Sequence, residues 1–265
     1  MKAIEKSPTL ANLILDLSYS HNPKIQNMSL ALQSLICLSK LNLNFSFCPG
    51  IDQNILKSLA QGLENLTTLT SLKLNFTQCS FIDVKNLFEK FIDKEGLFDL
   101  SKSLKNLTSL QVFEFALTHQ YVKFGFPSFF EALTHLTNLS KLVLNFSQSK
   151  DIQDEDLKLI AESLEKLQNL ESLELDLRFS LQITDLGLRD LASCLGTLHS
   201  LKFLNLNIFG CNNITQEGVD FLKSQLAQLE CLKEKNLNFP NAISSSGFMR
   251  ERPQMEADKS TCSLI

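Results

Sequence analysis

Much of what would assign a function quickly is missing from this sequence. No apolar run approaches the ~18 residues of a membrane-spanning helix, and the first apolar stretch, Leu10 to Leu17, is interrupted by Asn12 and Asp16, unlike a secretory signal. A cytoplasmic location is the expectation. The net charge is only −4 with 20% charged residues, so no electrostatic footprint for nucleic acid or anionic lipid stands out. The seven cysteines (Cys37, Cys48, Cys79, Cys194, Cys211, Cys231, Cys262) are odd in number and contain no CxxC pair, which argues against disulfides and zinc. No GxxxxGK(S/T), HExxH, GxSxG or glycine-rich dinucleotide fingerprint occurs, so neither catalysis nor a cofactor is expected. The four histidines (His21, His119, His135, His199) are scattered. The carboxylates Asp151, Asp154, Glu155 and Asp156 fall at a helix start, where they suit the positive end of the helix better than acid–base work.

What is present is an internal repeat. The frame LxxLxLxL, seen in Leu170-Glu171-Ser172-Leu173-Glu174-Leu175-Asp176-Leu177, begins at Leu10, Leu38, Leu69, Leu110, Leu139, Leu170, Leu201 and, degenerately, Leu232, at spacings of 28, 31, 41, 29, 31, 31 and 31. Within each unit the alternation Leu41, Leu43, Phe45 has period two and predicts a short strand with one buried face. The later spacing Ile152, Leu157, Ile160, Leu164, Leu167 is helical and recurs from Ile183 and from Ile214. One strand and one helix cannot bury both apolar faces alone, so neighbouring units must stack and share a core. Stacking sets the strands parallel, and because helices are wider (roughly 10 Å against roughly 4.8 Å) the array curves with the strands inside.

The segments Ile183-Thr184-Asp185-Leu186-Gly187-Leu188 and Ile214-Thr215-Gln216-Glu217-Gly218-Val219 then carry a resemblance to the leucine-rich-repeat family, in its ribonuclease-inhibitor-like and cysteine-containing subclasses. The resemblance covers Leu10 to about Phe239 and implies an α/β horseshoe with parallel strands on the concave face and helices on the convex face. Where that family favours Asn or Cys after the strand, this chain has Ser20, Cys48, Cys79, Gln120, Ser149, Ser180 and Cys211. Such small polar groups are expected to turn inward and satisfy loop backbone groups, which makes Cys48, Cys79 and Cys211 structural thiols. The sequon matches at Asn44, Asn75 and Asn145 recur with the repeat and read as structure.

The domain organisation read from these patterns is a lead-in over 1–9, about eight repeats over 10–239, and a disordered tail over 240–265, rich in Ser and charge. The long third spacing places extra residues near 81–91. Both Ile82 and Ile92 can open the following helix, and Ile92 gives the better match to the other units. The aromatics Tyr121, Phe124, Phe126, Phe129 and Phe130 are expected in the core, with a partner patch as the alternative. Lys235 replaces a buried leucine in the last unit and reads as the end of the array. No cap is recognisable before Leu10. The ending Cys262-Ser263-Leu264-Ile265 resembles a CaaX box, so Cys262 is a candidate for prenylation against a chance terminal cysteine. Its only nearby basic residue is Lys259, and membrane association is expected only if Cys262 is lipidated.

Function is expected on the outward side of the strands. One column reads Asp16, Asn44, Asn75, Ala116, Asn145, Asp176, Asn207, Asn238; beside it run Ile14, Asn42, Lys73, Glu114, Val143, Glu174, Asn205, Asn236; a third holds Ser18, Ser46, Thr77, Thr118, Ser147, Arg178, Phe209. The Asn residues read either as a partner-binding surface or as an amide ladder that keeps the sheet soluble. The residues assigned to a protein partner are Lys40, Asn44, Lys73, Asn75, Glu114, Lys141, Asn145, Glu174, Asp176, Arg178, Asn207 and Phe209, with Glu174, Asp176, Arg178 and Phe209 foremost because they break the ladder. A monomeric scaffold holding one protein is the leading expectation. The alternatives are a regulator of catalysis like the Ran GTPase-activating proteins, which the repeat type also resembles, and a substrate-recognition subunit of a ubiquitin ligase. The second is weakened because no F-box-like segment precedes Leu10.

Overall fold

A computed structural model describes residues 9–20, 28–48, 51, 53–79, 94–118, 126–149 and 152–240. The expectations for 81–91, Gln120, Tyr121, Phe124, Cys262 and nearly all of the tail lie outside these residues. Among the described residues eight strands alternate with seven helices: β1 (Asn12–Asp16), α1 (Met28–Gln33), β2 (Lys40–Asn44), α2 (Gln53–Leu63), β3 (Ser71–Asn75), α3 (Lys94–Leu104), β4 (Val112–Ala116), α4 (Phe126–Leu133), β5 (Lys141–Asn145), α5 (Asp154–Leu164), β6 (Ser172–Asp176), α6 (Asp185–Leu195), β7 (Phe203–Asn207), α7 (Gln216–Leu226) and β8 (Glu234–Asn238). The strands form one open parallel sheet in chain order. Each strand starts two residues after the first leucine of its frame, and every pair is in register, for example Leu144 with Leu175 and Leu175 with Leu206.

The register follows from the alternation. In β3 to β7 the second and fourth residues are buried and the others half-buried, so a slip by one would expose a whole row of leucines. These rows join the helix leucines in one core, where each fully buried leucine contributes about 1.5–3 kcal/mol. A third inward row continues it just past the strands with Phe45, Phe76, Leu117, Phe146, Leu177 and Ile208. Unit four fills the same volume with rings: Phe115 lies 4.7 Å from Phe129, and Phe126 lies 5.2 Å from Phe146. Phe126, Phe129 and Phe130 are buried, as the core reading required. In α3, Leu97, Leu100 and Leu104 are buried in the phase of Leu157, Ile160 and Leu164, which matches the Ile92 alignment.

The small polar column after the strands points inward. Cys48 Sγ donates to the Leu17 carbonyl at 2.9 Å, Cys79 to Phe45 at 3.0 Å and Cys211 to Leu177 at 3.2 Å, each reaching the turn of the preceding unit. Ser149 Oγ makes the same bond at 3.4 Å, and the buried Ser180 Oγ finds no partner. A serine oxygen sits closer to its Cβ than a cysteine sulfur does, so it reaches less well. Burial pushes the Cys79 thiol up to about 12 and the Cys211 thiol up to about 11, which keeps both protonated and inert.

The ITDxGL segment has a mechanical reading. Thr184 caps α6 by accepting from the Leu186 amide, and its own amide and hydroxyl donate to Asp154 of the preceding unit at 2.8 and 2.5 Å. Asp185 repeats this with Thr215. A Cβ on Gly187 would stand 2.5 Å from Asp154 Oδ1, so the glycine makes room for the carboxylate. Asp154 therefore ties two units together, a role beyond the helix-end stabilisation expected of it.

Candidate interaction face

The residues between the inward leucines turn away from the core, and parallel register brings each outward column into line across the sheet. Lys73 on β3, Glu114 on β4, Lys141 on β5 and Glu174 on β6 make one alternating chain of charge. Lys73 Nζ lies 2.9 Å from Glu114 Oε1; Lys141 Nζ lies 3.6 Å from the same oxygen and 3.1 Å from Glu174 Oε1. Burial works to lower the Lys141 pKa, but the carboxylates of Glu174 and Glu114 outweigh it and the ammonium is held above its ordinary value. Half-exposed pairs of this kind contribute about 0.2–1 kcal/mol each. Their larger effect is to hold four long side chains in fixed places on the face.

The Asn and Asp column is tied down locally. From Asp16 to Asn207 the side-chain oxygen of each accepts the amide two residues on: Ser18 N to Asp16 at 3.0 Å, Ser46 N to Asn44 at 3.1 Å, Thr77 N to Asn75 at 3.0 Å, Ser147 N to Asn145 at 3.0 Å, Arg178 N to Asp176 at 3.1 Å and Phe209 N to Asn207 at 3.2 Å. These Asx turns start the bend that ends each strand. Half of each of these side chains is thus spent on the scaffold, and among the described residues one cross-strand rung of the anticipated ladder is made, from Asn44 Nδ2 to Asp16 Oδ1 at 3.1 Å. Burial raises the pKa of Asp176, against the Arg178 amide and guanidinium, which lower it.

The third column departs from its expected outward facing. Ser46, Thr118 and Ser147 are buried, because the chain bends inward directly after the Asx turn. Thr118 Oγ1 accepts the Gln78 amide at 3.2 Å. In this column Arg178 and Phe209 remain exposed, as expected of them. Arg178 Nε lies 3.2 Å from Asp176 Oδ2. The next residue in each bend takes positive φ: Tyr19, Phe47, Gln78, Gln148 and Phe179 lie between 53° and 61°, and Gly210 at 75°. Side chains at such positions are forced outward, and two aromatic pairs result. Tyr19 stacks on Phe47 at 4.7 Å, and Phe179 meets Phe209 edge-on at 5.5 Å. Phe179 was not anticipated as a surface residue, since hydrophobic spacing carries no information about φ.

Between β2 and β5 the face holds an open hollow of about 380 Å³. It opens where Ala116 interrupts the Asn column, and Lys73, Asn75, Glu114, Val143 and Asn145 line it. The geometry thus gathers most of the assigned residues of β2 to β5 around one depression. Glu174 joins it through the charge chain, whereas Arg178, Asn207 and Phe209 form a second patch at the ends of β6 and β7. Lys40 lies at the start of β2, on the same face.

No family model and no curated protein matches the chain. The face must therefore be interpreted from its own chemistry. Among the described residues no group of His, Cys, Asp and Glu could hold a metal ion, and no helix is long and apolar enough to cross a membrane.

Proposed function

We propose that this chain is a leucine-rich-repeat protein of the ribonuclease-inhibitor-like, cysteine-containing kind, and that it binds a partner protein on the outward face of its sheet. The repeated strand–helix units support the first half, since helices broader than strands bend such a stack into a horseshoe with the sheet on its concave side. The second half rests on one observation above all: the Lys73–Glu114–Lys141–Glu174 chain crosses a face rich in Asn, and its first two members line a hollow there. Fixed charges beside a depression offer a partner both orientation and a place to bury an anchor. The role is that of a scaffold and not of a catalyst.

The test is quantitative affinity capture from cells with the full chain and with a variant carrying Glu174→Ala, Asp176→Asn and Arg178→Ala. Partners retained by the parent and lost from the variant, with the variant still unfolding cooperatively at a melting temperature no lower than the parent's, support the reading. An identical capture profile for the two proteins counts against it. Stimulated GTP hydrolysis by a captured or panel GTPase would replace it with a regulator of catalysis.

A further inference from the structure

The hollow at Ala116 has a chemistry that the rest of the sheet reveals. At one position of the Asn column the chain shows an asparagine of this face giving its free NH2 group to a carboxylate. Asn44 on β2 spends its oxygen on the Ser46 amide and directs Nδ2 to a carboxylate, Asp16, at the matching position of the preceding strand. Asn145 on β5 has the same local bond, to the Ser147 amide, which fixes its oxygen and leaves Nδ2 to point elsewhere. In register with it on the preceding strand stands Ala116, which has no acceptor to offer. Among the described residues Asn145 Nδ2 has no partner. Asn75 flanks Ala116 on the other side, likewise held by its oxygen.

We propose that the hollow is a carboxylate site, filled by an acidic side chain of the partner that takes at Ala116 the place Asp16 takes beside Asn44. The inference rests on the sheet face being the binding surface and adds the chemistry of its anchor. The groups available there fit an anion better than a neutral amide. The Asn145 side chain has its oxygen already engaged, so a carboxylate, which only accepts, matches its NH2 group better than a side chain that carries an NH2 of its own. The Lys73 ammonium lines the same hollow and supplies positive charge. Glu114 is the one carboxylate beside it, and its charge is shared by Lys73 and Lys141. Val143 on the far wall covers the aliphatic stem of an incoming Asp or Glu.

The protein provides its own blocking variant. Ala116→Asp supplies the missing acceptor from within, giving Asn145 the rung that Asn44 has and occupying the hollow; Ala116→Leu fills the space without supplying an acceptor. A phage-displayed library of random dodecapeptides is panned on the immobilised full chain, with counter-selection on Ala116→Asp. The expected result is a set of peptides sharing an Asp or Glu, which bind the parent and neither variant. Replacement of that residue by Asn or Gln should weaken binding about tenfold or more, as loss of charge-assisted hydrogen bonds does. The proposal is overturned if no peptide distinguishes the parent from the variants, or if the distinguishing peptides are basic or tolerate the amide replacement. Loss of cellular capture in the Glu174, Asp176 and Arg178 variant does not depend on this result, so failure of the anchor chemistry and failure of the face as a whole are told apart.

Discussion

The units from β5 to β8 and those from β2 to β4 share one sheet but are joined differently. In the later units the helix starts are locked by side chains: Asp154 holds Thr184, Asp185 holds Thr215, and Gly187 and Gly218 leave space for the two carboxylates. In the earlier units the same helix positions are Gln53 and Lys94, neither a carboxylate, and Gly96 sits against Leu56 and the Gln53 backbone. The longest spacing of the repeat, 41 residues, falls in that earlier region. The difference shows where the stack tolerates irregularity. The repeat keeps 31 residues across the units whose helix starts are tied by the Asp154–Thr184 and Asp185–Thr215 pairs. The hollow on the outward face is lined by residues of β2 to β5, the strands on either side of that long spacing.

The largest expected effect breaks the lock in the later units. Gly187→Ala places a Cβ 2.5 Å from Asp154 Oδ1 and 2.8 Å from its Cα, and should cost about 1–3 kcal/mol in urea denaturation. The matched Gly96→Ala meets nothing nearer than 3.1 Å and gains helix propensity, so its loss should stay below about 1 kcal/mol. Equal costs would remove the distinction between the two regions. A smaller effect sharpens it from the other side. Ser180→Cys gives a buried, unpartnered position the longer donor used at Cys48, Cys79 and Cys211, and should stabilise the chain by about 1 kcal/mol. Ser149→Cys, where the hydroxyl already reaches Leu117, should gain less.

The smallest effects are carried by pH. Burial raises the Asp176 carboxyl, so the folded chain binds its proton more tightly than the unfolded chain does. Its contribution is then present in acid and lost as pH rises through the folded-state value. Asp176→Asn keeps the acceptor for the Arg178 amide and should raise the melting temperature at neutral pH, with the gain closing in acid. Asp16, in the first unit, has the opposite sign: the Ser18 backbone amide, then the Ser18 side chain and Asn44, lower its pKa. Asp16→Asn should therefore lower the melting temperature at neutral pH, and that loss should vanish as pH falls through the carboxylate range. Parallel responses from the two variants would contradict the burial difference between them.

Strand positions were legible in the sequence because their cause is local and repeated. The LxL alternation fixes which face is buried, and seven copies fix the register. The inward Cys and Ser column was legible for the same reason. The Asn column showed its facing but not its bonds, since the amide two residues on can be placed beside it only when the bend is known. The burial of Ser46, Thr118 and Ser147 and the exposure of Phe179 depend on one residue per unit entering positive φ, and Phe or Gln at that place carries no mark of it. Ala116 was visible as a break in a column. That the break opens a hollow beside an Asn with a free donor required its neighbours on β3 and β5.

Both the proposed role and the anchor chemistry depend on which side chains of a strand look outward, and labelling along β6 measures this directly. In a background with Cys37, Cys231 and Cys262 changed to serine, single variants Ser172→Cys, Leu173→Cys, Glu174→Cys, Leu175→Cys and Asp176→Cys are timed against a maleimide reagent in native buffer. The account predicts fast, slow, fast, slow, fast, with positions 173 and 175 reacting only on unfolding. Uniform rates, or the inverse alternation, would contradict it.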